Sequence, residues 1–222
     1  MKKVIEIGFD GLNRCGKDTQ IALFLNYLSK KNYPYIMARG DGTRSGNDPL
    51  YPPSIWWEEN RANLMDVNSE NYSYKLNLSY QRLCREALIF KRRLENISST
   101  SYLIFNRSIL SRYFSLKQYD PDISLEEALI SFNPKNKNLI PPIYPDLTLV
   151  LDVPKEELLR RLENSIIPET QRYDLIKFRI NKYYSLYKQI LEELKKNEKV
   201  KVFDGKKNPV ELNKEIISFL NL

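Results

Sequence analysis

Histidine is absent from all 222 residues. That absence removes imidazole acid/base chemistry, histidine-based triads and histidine-ligated metal centres, so any catalysis must run on carboxylates, lysines, arginines and backbone dipoles. Cysteine is scarce: Cys15 and Cys84 make neither a disulfide framework nor a zinc-ligand spacing, which fits a reducing compartment. No run of about 18 apolar residues occurs, so the sequence predicts no membrane span. The apolar stretch after Met1 is short, carries Glu6 and runs straight into a Gly-containing loop, unlike a signal peptide. A cytoplasmic location is the expectation.

What is present is positive charge. Lysine and arginine total 35 against 28 acids, a net charge of +7, which favours anionic partners. The basic residues are interleaved with acids, as in residues 192–201, and form no nucleic-acid recognition motif. Small phosphorylated compounds are therefore expected as partners, and nucleic acid is not.

Short apolar runs lie at 4–9, 35–38, 102–105, 147–151 and 201–203, separated by helical patterns at roughly 16–31, 74–97, 124–132, 155–164, 172–197 and 208–220. This alternation predicts one α/β domain over 1–222, with a mostly parallel central sheet of about five strands covered on both faces. Ligands then collect beyond the carboxyl ends of the strands. The Gly-, Pro- and Asn-rich segment at about 41–73 reads as a variable insertion, in which Trp56 and Trp57 serve packing or an interface.

Gly11, Gly16 and Lys17 have the G-x4-G-K spacing of a phosphate-binding loop, placed after a predicted strand and before a predicted helix. Glycines let successive N–H groups turn inward on a polyphosphate, the helix N-terminus adds its dipole, and Lys17 reaches the outer phosphates. ATP-binding positions are thus expected at Gly11, Asn13, Arg14, Cys15, Gly16, Lys17, Asp18 and Thr19. The residue after the lysine is usually Ser or Thr, with its hydroxyl on Mg²⁺, whereas this chain has Asp18. A carboxylate is a hard oxygen ligand, so Asp18 is a candidate metal ligand and Thr19 the alternative. Asp18 equally suits a first-turn acid favoured by the helix dipole.

The opening FDGLNRCGKDTQ is followed, in order, by ARGDGT, CREALIF, FNRSILSRY, YPDLTLVLDVP, QRYD and FDGKKNPVEL. This ordered set resembles the thymidylate kinase family of P-loop nucleoside monophosphate kinases over nearly the whole chain. The resemblance implies a three-layer α/β/α P-loop kinase fold using ATP and Mg²⁺. It implies catalytic roles for Arg14, Lys17 and Arg107, and an acceptor site containing Asp10, Arg39, Arg85, Arg107 and Ser111. It further implies that Arg161 stacks on adenine, that Asp152 is structural, and that a lid spans about 163–172. The stretch from Asn164 to Gln171 has no arginine, which matches family members that carry it in the loop, here Arg14. A homodimer is implied by resemblance alone.

Departures from the family pattern keep alternatives open. Gln81 stands where the family often has an aromatic that stacks on the base, with Tyr80 beside it, and Asn106-Arg107-Ser108 replaces Asp-Arg-Tyr. The SILSRY that follows partly resembles deoxynucleoside kinases, but those need a positioned base to take a hydroxyl proton, and Asn106 cannot serve. A monophosphate acceptor is already ionised, so arginines and Mg²⁺ suffice. The leading expectation is phosphorylation of a deoxynucleoside monophosphate, most simply dTMP to dTDP. The alternatives are a deoxynucleoside or other small-molecule kinase, and a catalytically decayed nucleotide-binding protein suggested by Asn13, Asp18 and Asn106.

Overall fold

The computed structural model describes residues 3–38, 83–84, 87–118, 120–130, 144–164 and 170–222. The predicted insertion, with Trp56 and Trp57, and the centre of the predicted lid lie outside them. Five strands form one sheet: β1 (Val4–Asp10), β2 (Tyr35–Ala38), β3 (Ser101–Asn106), β4 (Leu147–Asp152) and β5 (Val200–Asp204). Their order is β2-β3-β1-β4-β5 and every pairing is parallel. The described helices are α1 (Lys17–Lys30), a helical stretch over 87–95, α2 (Ile109–Lys117), α3 (Leu125–Ile130), α4 (Lys155–Glu163), α5 (Thr170–Leu194) and α6 (Pro209–Phe219).

Because successive strand residues face opposite sides, each strand feeds two cores. Leu149 and Leu151 of β4 join Phe9, Phe24, Leu28, Leu158, Leu162 and Ile216 on the side covered by α1, α4 and α6. Val150, between them, packs with Ile109, Tyr113, Tyr187 and Leu191 on the side covered by α2 and α5. In β3, Tyr102 and Ile104 join the first cluster, whereas Leu103 and Phe105 pack with Ala87, Phe90 and Leu94 of the stretch over 87–95. Burial on both faces explains why the strands read as continuous apolar runs rather than alternating ones.

The expected architecture is present, with all five strands parallel. The sequence pattern missed α2, whose buried Ile109, Leu110, Tyr113 and Leu116 do keep helical spacing. Serines and Arg112 interleave with them, and nine residues are too few for the period to stand out. By contrast α6 announces itself: the Asn208 side chain accepts from Val210 N at 2.9 Å, and Pro209 opens the helix.

Parallel strands end on one edge. Asp10, Ala38, Asn106, Asp152 and Asp204 are the last strand residues there. The chain leaves β1 for β2 on one side and later reaches β4 on the other, so the reversal in strand order lies at the end of β1, where ligands are expected in such sheets.

Leu149→Ala, at a fully buried position, is expected to cost about 2–5 kcal/mol in urea unfolding with an unchanged denaturant slope. Val210→Ala, at a position 54% exposed, should stay within about 0.5 kcal/mol of the parent. Equal losses at the two positions would contradict the core described above.

Candidate phosphate-binding site

The loop from Gly11 to Lys17 leaves β1 and enters α1. Gly11 has φ 138°, and a Cβ there would lie 2.8 Å from the Leu151 carbonyl oxygen, so only glycine fits. Cys15 N donates to Leu12 O at 3.2 Å to tighten the turn. Gly16 has φ 95° and occupies the N-cap of α1 without a side chain to cap it. The first-turn N–H groups of α1 are therefore left for an outside acceptor, where the helix dipole favours an anion.

Lys17 opens α1 and is only 6% exposed. Burial pushes its pKa down, and the positive charge of Arg107 adds to that effect. An ammonium held in this way gains most from a nearby anion. It pairs with Asp18, at 3.8 Å between Nζ and Oδ1. Cys15, buried against the loop, has its thiol pushed up by burial, which marks it as packing rather than as a nucleophile.

Asp10, fully buried at the end of β1, accepts from the Ser108 backbone N–H and hydroxyl, each at 2.8 Å, and from the Ser111 hydroxyl. These bonds fix Ser108 and Ser111, which follow Arg107 at the start of α2. The Arg107 side chain donates to Asn13 Oδ1 at 2.6 Å and to Ser111 Oγ at 3.4 Å, while its backbone N–H donates to Phe9 O at 2.9 Å. Among the described residues four non-glycines have positive φ. Two are asparagines, which tolerate it; the others are Arg14 at 72° and Arg107 at 79°. Both arginines at the loop are thus held in a costly backbone conformation, as is common where a site is preorganised.

Arg161 ties the back of the loop down. It donates to the backbone oxygens of Cys15 at 3.2 Å, Arg14 at 3.4 Å and Gly205 at 2.8 Å, and from Nε to Glu157 at 2.7 Å. The loop after β1 is thereby joined to α4 and to the turn after β5. At the mouth, the Asn106 amide donates to Asp18 Oδ1 at 2.9 Å.

No model of a known protein family matches the chain. Known relatives do. A thymidylate kinase of Fervidobacterium nodosum is 26% identical over 216 residues, covering 97% of this chain and 98% of that protein. One from Carboxydothermus hydrogenoformans is 24% identical over 222 residues, covering 96% and 95%. The chain is similar to thymidylate kinases along nearly its whole length. The crystal structure of thymidylate kinase from Ehrlichia chaffeensis has the same fold, with a TM-score of 0.59, 20% identity and 99% coverage of each chain.

Against the expectations drawn from the thymidylate kinase resemblance, Gly11, Asn13, Arg14, Cys15, Gly16, Lys17, Asp18 and Thr19 form the loop and the first turn of α1, with Thr19 exposed. Arg107 and Ser111 stand beside that loop, whereas Asp10 is buried beneath it and reaches the mouth through Ser108 and Ser111. Arg39 and Arg85 lie outside the described residues. Asp152 pairs with Lys188 at 2.6 Å in a structural bridge. Glu157, Ser108 and the Gly205 carbonyl were not anticipated. Glu157 had a signal, its i,i+4 spacing to Arg161, but the other two depend on which loops meet in space.

The Arg160 and Arg161 guanidiniums hold the Glu157 carboxyl down to about 2 from 4.5. A carboxyl depressed in the folded state adds stability that is complete above 4.5 and lost as pH falls through about 2. Urea unfolding of wild type and Glu157→Gln should therefore converge as pH drops across that window; a constant gap would exclude the bridge.

Proposed function

We propose that this chain transfers the terminal phosphoryl group of ATP to a deoxynucleoside monophosphate, with dTMP as acceptor and dTDP as product. The observation that carries this reading is the pairing of a glycine-built loop containing the buried Lys17 with Arg107 hydrogen-bonded across to that loop at Asn13. Similarity to thymidylate kinases over 97% of the chain names the acceptor.

In this reaction an oxygen of the acceptor monophosphate attacks the γ-phosphorus, and the bond from that phosphorus to the β–γ bridging oxygen breaks, releasing ADP. The attacking oxygen is already ionised, so no general base is required, and rate comes from alignment and neutralisation of charge. Loop amides and Lys17 hold the donor phosphates, Arg14 neutralises the transferring group, and Arg107 presents the acceptor. Arg161 keeps the loop in shape from behind. Asp18, an exposed carboxylate at the loop mouth, would be the protein's oxygen donor to Mg²⁺, with Thr19 as the alternative. Mg²⁺ supplies charge neutralisation across the donor phosphates when bound. Among the described residues no cluster of three acidic or cysteine side chains is placed to hold a metal, and Mg²⁺ shared with phosphates needs only one or two carboxylates. No described helix is long and apolar enough to cross a membrane. The reading includes a cytoplasmic location and pairing of two copies.

Asn13, Asp18 and Asn106, which depart from the kinase pattern, each bond to a partner at the loop mouth, and such integration favours a working site over a decayed one. Incubation with labelled ATP, Mg²⁺ and a panel of nucleosides and monophosphates should yield a labelled diphosphate from dTMP and nothing from thymidine. Phosphorylation of nucleosides alone would overturn the acceptor, and no transfer to any member would overturn the activity. Lys17→Met should lower kcat/KM by about 10²–10³-fold, as for loss of one charge-stabilising donor. Its thermal midpoint should match or exceed that of wild type, because a buried, desolvated ammonium is removed.

A further inference from the structure

Gln20 lies one turn into α1, and its N–H donates to Gly16 O, at the end of the loop, at 3.0 Å. Its side chain crosses to α6. Nε2 donates to Pro209 O at 2.9 Å, and Asn213 Nδ2 donates to Gln20 Oε1 at 3.2 Å and to Gln20 O at 3.4 Å. Gln20 is 2% and Asn213 6% exposed, between two helices that otherwise give Ile21, Phe24, Leu28, Leu212 and Ile216 to an apolar cluster. Burying two amides costs desolvation that apolar side chains would not. What hydrogen bonds add is direction: they fix where α6 starts relative to α1, which apolar contact alone leaves free to slide.

The start of α6 is also the end of the turn from Gly205 to Asn208 that follows β5. Its other end is pinned to the phosphate loop and its surroundings. Gly205 N donates to Asp152 O at 2.8 Å, Gly205 O accepts from Arg161 at 2.8 Å, and a Cβ at Gly205 would lie 3.3 Å from Cys15 O. Between the two anchors Lys206, Lys207 and Asn208 are exposed. Strand order gives this turn a role. Arg107 ends β3 on one side of β1, and β4 and β5 lie on the other. With the acceptor on the Arg107 side, in-line transfer puts the leaving diphosphate on the opposite side of the transferring phosphorus, so the donor's nucleoside extends over the ends of β4 and β5.

We propose that Gln20 and Asn213 are positioning residues for the donor: as a buried amide pair they hold the turn from Gly205 to Asn208 at a fixed height against the phosphate loop, and with it the surface that receives the nucleoside of ATP. This rests on the kinase reading above. Neither residue touches the nucleotide. Both act through the turn, so their loss falls on the nucleoside and spares the phosphates.

Calorimetry with the full-length chain in excess Mg²⁺ tests this without turnover, by comparing ATP with inorganic tripolyphosphate, which has the phosphates and no nucleoside. Wild type should bind ATP more tightly. Gln20→Leu and Asn213→Leu should each lower ATP affinity about tenfold, the size expected for one or two hydrogen bonds, with tripolyphosphate affinity unchanged within about twofold. The double variant should lose no more ATP affinity than the worse single, because the two act as a unit. Its urea stability should exceed that of both singles, because neither amide is then left without the other. Equal loss of both ligands, ATP affinity that returns with stability in the double variant, unchanged ATP affinity, or a wild type that binds both ligands equally would each overturn the positioning role while leaving the kinase reading intact. Failure of the wild-type chain to bind either ligand would overturn both.

Discussion

Asp10 is a buried carboxylate satisfied by hydroxyl and amide donors, and much of the site's geometry follows from it. A carboxylate removed from water is tolerated only where its oxygens are hydrogen-bonded, and here the donors are Ser108, through backbone and side chain, and Ser111. Those residues follow Arg107 and lie at the start of α2, so the strand that leads into the Gly11–Lys17 loop also fixes the segment carrying the opposing guanidinium. Two loops that belong to different strands become one rigid mouth. The positive φ of Arg107 is held by this clamp and by the bond from its N–H to Phe9 O.

Rigidity of that kind is needed because the mouth concentrates like charge. Lys17 is desolvated and feels Arg107, and the first-turn amides of α1 add the positive end of a dipole. The protein spends stability on this arrangement, and the large apolar clusters on both faces of the sheet offset it. A bound polyphosphate reverses the sign of the problem, since every group that repels its neighbours becomes an attraction toward the anion. Preorganised cations need no reorientation when charge develops, which is how a chain without histidine can accelerate transfer between phosphates.

The parts of this design that are local in sequence were legible. Spacing placed Gly11, Gly16 and Lys17, and continuous apolar runs gave five strands in a parallel sheet, because burial on both faces leaves that imprint. Glu157 and Arg161 were within reach too, one helical turn apart. What could not be read is contact between distant residues. Asn106 and Asp18 are separated by 88 positions, and Asp10 and Ser108 by 98, and nothing in either neighbourhood specifies the other. Arg161 shows the same limit: its bonds to the carbonyls of Cys15 and Gly205 depend on which loops meet in space and leave no trace in its own neighbourhood. Helix α2 was missed because its buried positions are interleaved with serines and Arg112 over only nine residues.

The hydrogen-bond partners of Arg161 and Arg107 differ in charge. Arg161 bonds to the carboxylate of Glu157 as well as to backbone oxygens, and a charge-assisted bond of this kind is not readily exchanged for another anion. Arg107 donates to an amide oxygen and a hydroxyl, both neutral. An aspartate in place of Asn13 would hold Arg107 more tightly but would compete with, and repel, an incoming phosphate. On the kinase reading proposed above, Asn13 keeps the guanidinium ordered and would yield it to a phosphate at the cost of one neutral hydrogen bond, about 0.5–1.5 kcal/mol. On that proposed reading Asn13, which from sequence alone suggested decay, is what would allow Arg107 to be both prepositioned and available.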